Sequence, residues 1–102
     1  MDLAEGHQAA LDWVLRDPRE LLTANLGTGK GSSVLDMLRA FEQASGQSIP
    51  YRIVARRPGD VPACWSDPSL ARERLGWTAK RCLDDMCRDA WNWQRNNPRG
   101  FT

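Results

Sequence analysis

The stretch LLTANLGTGKGSSVLDML, Leu21 to Leu38, decides the fold class. Its first six residues are short, apolar and closed by glycine, which reads as a buried strand. GTGKGSS then supplies a turn. Ser33 and Asp36 form the S-x-x-D signature of a helix start, a hydroxyl and a carboxylate each satisfying an orphan amide. Val34, Leu35, Leu38 and Phe41, with Met37 alongside, make one apolar helical stripe, and Gly46 ends it as a C′ glycine. Strand, turn and helix in that order are the unit of an α/β fold.

Working outward, DLAEGHQAALDWVLRD places Leu3, Ala10, Leu11 and Val14 on one helical face, with Asp2 as N-cap and Glu5 three residues on. Asp17-Pro18 ends this helix, because a residue before proline avoids the α region. His7 falls beside the stripe and reads as a hydrogen-bonded structural residue rather than a base. Downstream, YRIVA (Tyr51–Ala55) is a second short strand. DPSLARERLGW is a short helix with Asp67 as N-cap and Pro68 at the first helical position. LDDMCRDAWNWQRNNP is a longer helix with an apolar face of Leu83, Met86, Cys87, Ala90 and Trp91, stopped by Pro98. The expected order is helix, strand, helix, strand, helix, helix. Two short strands make a poor sheet, since parallel strands are covered on both faces and flanked by others. The composition is that of a domain, and the architecture that of a piece of one.

At 102 residues, one domain is expected. Hydrophobic residues at 41% and charged residues at 26% are ordinary globular values. Fourteen basic and 13 acidic residues leave a net charge of +1, without the basic excess of a nucleic-acid binder. No apolar run approaches the ~20 residues that span a bilayer, and no signal-peptide pattern opens the chain, so a cytoplasmic location is expected. Cys64, Cys82 and Cys87 are an odd set read as free thiols. The Cys82–Cys87 spacing suits no zinc pattern and the only histidine, His7, is far off, so no metal site is expected.

Most tempting motifs fail. A phosphate-binding G-x-x-x-x-G-K-[ST] loop would need glycine at Ala24 and a hydroxyl at Gly31. The dinucleotide fingerprint G-x-G-x-x-G, counted from Gly27, meets Ser32 at its third glycine. There is neither a G-x-S-x-G elbow nor a C-x-x-C. Tyr51 has Ala55 four residues on, so it is not the tyrosine of a Tyr-x-x-x-Lys pair. What remains is ARRPGDVPACW, Ala55–Trp65. Arginine's planar fork suits two-point grip on phosphate, and Asp60 is placed to accept from sugar hydroxyls or to orient an arginine. On the residues alone, that reading and a solvated Arg–Asp pair of little worth both stand.

Together MDLAEGH, NLGTGKGSSVLDM, RRPGDVPACWSDP, LGW and CLDDMCRDAWNWQ resemble the C-terminal part of the UDP-glucose 4-epimerase family, in the extended short-chain dehydrogenase/reductase superfamily. The resemblance covers essentially the whole chain. It implies that residues 1–102 are one nucleotide-sugar-binding region with the N-terminal Rossmann domain absent. That domain would carry NAD and the catalytic Tyr-x-x-x-Lys pair, so no catalytic residue and no cofactor are expected in this chain. By the same resemblance Arg57 contacts the UDP diphosphate and Asp60 the nucleotide's ribose, with Pro58 and Gly59 between them. Cys64 bounds the hexose, its small size implying room for a 2-acetamido group. Pro58 departs from the family's usual glutamate. The intact enzyme would invert C4 of a UDP-hexose in galactose metabolism and act as a homodimer, while this chain alone is expected to self-associate. The alternatives are a non-enzymatic α/β interaction module, or part of a nucleotide-sugar dehydratase or decarboxylase of the same superfamily.

Overall fold

The computed structural model describes residues 1–16 and 18–101. It holds four helices: α1 (Asp2–Arg16), α2 (Val34–Ser45), α3 (Ser69–Leu75) and α4 (Leu83–Asn96). They fall into two compact units, one of Met1–Gly31 with Pro62–Lys80, the other of Ser32–Val61 with Arg81–Thr102.

The two expected strands are a correction. Neither Leu21–Leu26 nor Tyr51–Ala55 is in a strand, and no strand occurs among the described residues. A strand exists only when its amides and carbonyls meet another strand. The apolar signal of LLTANL and YRIVA is real in composition, but among the described residues no strand pairs with it.

In the first unit the packing turns on a glycine. Gly6 of α1 is buried, and a Cβ there would lie 2.7 Å from Leu26 Cδ1 and 3.2 Å from Trp77 Cε2. Large side chains from two other segments thus demand a small surface on α1. This corrects the expected stripe: Leu3, Leu11 and Val14 are exposed, and Asp2 and Gly6 are the buried residues. Asp2 is correspondingly not an N-cap. Met1 supplies the first carbonyl, accepting from Glu5 N–H at 3.0 Å, while Asp2 ties α1 to a distant segment. Its backbone carbonyl accepts from the Trp77 indole Nε1–H at 3.0 Å, and its Oδ2 from the Lys80 amide at 2.8 Å. The expected end of α1 at Asp17 lies outside the described residues; the helix is described to Arg16.

LGW explains itself at the end of α3. Gly76 takes φ 64°, and its amide and that of Trp77 close on the last turn, at Arg72 O (3.1 Å) and Ala71 O (3.4 Å). That turn drops Trp77 into the core beside fully buried Ala71. Helix α3 starts one residue later than expected, with Pro68 rather than Asp67 at the cap position; Asp67, one residue before it, accepts at Oδ1 from the Ser69 amide (2.9 Å) and hydroxyl (2.6 Å). Arg74 pairs with Glu20 and lies 5.7 Å over the Trp13 ring.

The second unit packs α2 on α4 through buried Ala40 and Cys87, the Cys87 sulfur 3.9 Å from that of Met37. The capping box of α2 forms as the sequence expects: Ser33 Oγ accepts from the Asp36 amide (3.0 Å), and Asp36 Oδ2 from the Ser33 amide (3.0 Å) and hydroxyl (2.7 Å). Gly46, at φ 68°, ends α2 by donating to Glu42 O. Glu42 Oε1 then accepts from the Ile49 amide at 2.8 Å, tethering the segment that leads to Tyr51. On α4, Cys87 is buried and Leu83 and Trp91 are half-buried, whereas Met86 and Ala90 are exposed.

Candidate functional site

Residues 51–65 are exposed throughout, and within them Arg57–Asp60 has a defined shape. The Asp60 amide donates to Arg57 O at 3.2 Å, closing a four-residue turn. Proline at its second position supplies the fixed φ, and Gly59 at the third takes φ 86°. That is the pattern of a type II turn, whose third residue any side chain would strain.

The same turn brings two expected site residues together. Asp60 Oδ2 accepts from the Arg57 amide and from Arg57 Nε, each at 3.3 Å, the long end of hydrogen-bond range. Pro58 and Gly59 hold the interval between them. The Arg57 side chain is 85% exposed. Arg56 beside it is exposed and has no ion pair among the described residues. An exposed guanidinium with its terminal nitrogens unoccupied can take a phosphate-type anion at two points.

Cys64 belongs to the other unit, where it is exposed and a free thiol, as are exposed Cys82 and buried Cys87. The Cys87 thiol is pushed up, first by burial and then by the charge of Asp84. Cys82 instead starts α4: its thiol donates to Asp85 Oδ2 at 3.2 Å and its amide to the same oxygen at 3.1 Å. Arg88 also bonds Asp85, and these contacts, Arg88 foremost, draw that carboxyl down to about 2. No group of three metal-ligating side chains occurs among the described residues.

The glycines of GTGKG leave room for close packing. A Cβ on Gly27 would lie 2.1 Å from Ser66 Oγ, and one on Gly31 3.2 Å from the Trp65 ring. Gly29 takes φ 71° with Pro68 alongside. Thr28 Oγ1 bonds both the amide and the carbonyl of Lys30, which turns the loop on itself. His7 has the structural role its position suggests, Nδ1 donating to Leu3 O at 2.7 Å. It lies at the edge of a groove of about 320 Å³ shared with Trp13, Val14, Glu20, Leu21 and Leu26.

No family model matches the chain. Similar proteins, however, are consistent with one another. The UDP-glucose 4-epimerase of Mus musculus is 58% identical over 101 residues, which are 99% of this chain and 29% of that protein. That of Bacillus subtilis is 52% identical, with 99% of this chain and 30% of that protein covered. Among solved structures, the UDP-glucose 4-epimerase of Bifidobacterium longum in complex with NAD+ and UDP aligns with a TM-score of 0.87 at 49% identity, over 98% of this chain and 29% of the other. The enzyme of Stenotrophomonas maltophila, with bound NAD and formylated UDP-arabinopyranose, gives 0.86 at 50%, over 96% and 29%. The chain thus spans about three-tenths of the length of the relatives it matches. Over almost all of its own length, the chain is homologous to the C-terminal portion of the UDP-glucose 4-epimerases.

Proposed function

We propose that residues 1–102 are the nucleotide-sugar-binding part of a UDP-glucose 4-epimerase, an NAD-dependent isomerase that interconverts UDP-glucose and UDP-galactose. The observation that carries this is the similarity over 99% of the chain at 58% identity, with the Arg57–Asp60 turn as its chemical counterpart. The solved relatives carry NAD, and the G-x-G-x-x-G fingerprint is broken at Ser32 in this chain. NAD binding therefore falls to the length of the relatives that this chain does not span, as do the tyrosine and lysine that would move the C4 hydroxyl proton.

The chain's own share is to hold and orient. Arg57 grips the diphosphate and Asp60 lies at the nucleotide end of that contact. Holding the substrate by groups remote from the reacting carbon turns an encounter into an oriented, effectively unimolecular step. Cys64 is assigned separately, to the hexose, where its small side chain admits a 2-acetamido group that tyrosine would exclude. No helix among the described residues is long and apolar enough to cross a membrane, and a cytoplasmic location is part of the proposal. A homodimer for the intact enzyme belongs to the same reading.

The test joins residues 1–102 to the remaining length of the Bifidobacterium longum relative and assays conversion of UDP-glucose to UDP-galactose. Turnover is expected. Arg57→Ala is expected to raise KM by a loss of about 2–4 kcal/mol, as for a covered charge pair stripped of one partner. Cys64→Tyr is expected to abolish turnover of UDP-N-acetylglucosamine while sparing UDP-glucose. A folded chimaera without activity, or with KM unmoved by Arg57→Ala, overturns the reading.

A further inference from the structure

The stretch that carries Cys64 is fastened by contact rather than by hydrogen bonds. From Val61 to Ser66 no hydrogen bond or ion pair occurs among the described residues, and the next anchored position is Asp67, just before α3. What lies against this stretch is the set of alternate glycines of GTGKG, in the same compact unit. A Cβ on Gly27 would lie 2.1 Å from Ser66 Oγ, one on Gly29 3.4 Å from Pro68 Cδ, and one on Gly31 3.2 Å from Trp65 Cε3. The three positions differ in what they ask of glycine. Gly29 needs it for a φ of 71°, while the space beside it is ordinary. Gly27 and Gly31 have no positive φ and need it for space alone. At Gly27 the obstacle is a serine hydroxyl, which turns aside about one bond. At Gly31 it is the indole, met at Cε3, Cδ2 and Cζ3, a rigid plate that moves only as a whole. Packed groups transmit such a displacement to their neighbours, and Cys64 is joined to Trp65 by one planar peptide.

We propose that Gly31 is a specificity-determining positioning residue: its missing side chain lets the Trp65 indole lie against the GTGKG loop, and this sets where Cys64 stands against the 2-substituent of a sugar. The proposal rests on the hexose role given to Cys64 above. It extends control of that substituent from one side chain to a glycine on a different segment. A bulky 2-acetamido group needs the Cys64 wall in place, whereas a small 2-hydroxyl tolerates a displaced one. Gly31 therefore separates UDP-N-acetylhexosamines from UDP-hexoses, and does so without touching either.

Two substitutions on one loop supply the test. Amide spectra of the ¹⁵N-labelled 102-residue chain read position, and the unfolding midpoint checks that each variant folds. Gly31→Ala is expected to move the resonances of Cys64 and Trp65, and Gly27→Ala that of Ser66 with Cys64 left in place. In the chimaera described above, Gly31→Ala is expected to lower kcat/KM for UDP-N-acetylglucosamine relative to UDP-glucose by about tenfold, the low end for a misfit of one methylene. Gly27→Ala should leave that ratio unchanged. A merely structural role would lower both sugars together. Trp65→Ala, which removes the plate and keeps the glycine, is expected to lower the same ratio, and in that background Gly31→Ala should add nothing. A Cys64 resonance unmoved by Gly31→Ala overturns the proposal, as does an equal loss for both sugars or a selective loss that persists without Trp65. A ratio unchanged by Trp65→Ala overturns it whether or not Gly31→Ala folds. With a chimaera active on both sugars these outcomes refute the proposal alone. A folded chimaera active on neither sugar refutes the epimerase reading, one active on UDP-glucose only refutes the role of Cys64, and the proposal falls with either.

Discussion

At the scale of residues, Trp77 and Asp2 do for the first unit what no local motif announces. The indole donates to the Asp2 carbonyl, and the Asp2 carboxylate accepts from Lys80, across 75 and 78 positions of sequence respectively. Trp77→Phe removes the donor together with the ring that carries it, so some packing is lost as well and the hydrogen bond sets a lower bound on the cost. A cost of about 1–2 kcal/mol in urea unfolding is expected for a buried bond lost in this way. A change within error would mean that Asp2 is held without the indole. Asp2 shows where sequence reading stops. An aspartate at a chain start followed three residues later by glutamate has the spacing of a capping box, and only the fold reveals partners so distant. Arg57 and Asp60 were legible for the opposite reason: proline and glycine between two charged residues specify the turn locally, so their meeting needs no distant partner.

Among the elements, the helices were the readable part and the strands were not. Caps are local bonds: Ser33 with Asp36, and Gly46 and Gly76 at φ 68° and 64°, stand where side-chain chemistry puts them. Strands are made by partners, and composition alone promises a partner that Leu21–Leu26 and Tyr51–Ala55 do not find here. Face assignment on α1 failed through size, because the contact surface was chosen by what Gly6 admits. The start of α4 carries a prediction about pH. The Asp85 carboxyl is held at about 2, below its ordinary 3.8, by Arg88 and by the Cys82 amide and thiol. A carboxylate whose folded value is lowered contributes fully above the ordinary value and loses that contribution as pH falls through the folded one. The stability difference between the unaltered chain and Asp85→Asn should therefore be constant above about pH 5 and shrink between pH 4 and 2. Asp36 and Asp67 are shifted the same way, each first by a serine hydroxyl, so only the comparison with the variant isolates Asp85. A difference independent of pH would place the α4 start elsewhere.

For the molecule as a whole, the informative quantity is the apolar surface left uncovered. Leu21 is 92% exposed and Ile53 87%, each inside a segment whose sequence is that of a buried strand. Val34 and Leu15 are exposed to a similar degree. Unpaired backbone beside such side chains is a template for another chain, which native proteins cover, charge or shorten. Neither segment carries a lysine, and Leu21–Leu26 carries no charge at all. The relatives are more than three times as long as this chain, and covering these residues is a natural task for the additional length. Alone, the chain is expected to cover them with copies of itself. Sedimentation velocity across a hundredfold concentration range should show a weight-average coefficient that rises with concentration. Ile53→Lys, which places a charge on a side chain that no core residue needs, should lower that rise without lowering the unfolding midpoint of the dilute chain. A single species at every concentration would mean that these segments are not adhesive in this chain. Association unaffected by Ile53→Lys but abolished by Leu21→Lys would place the contact on the Leu21–Leu26 segment instead.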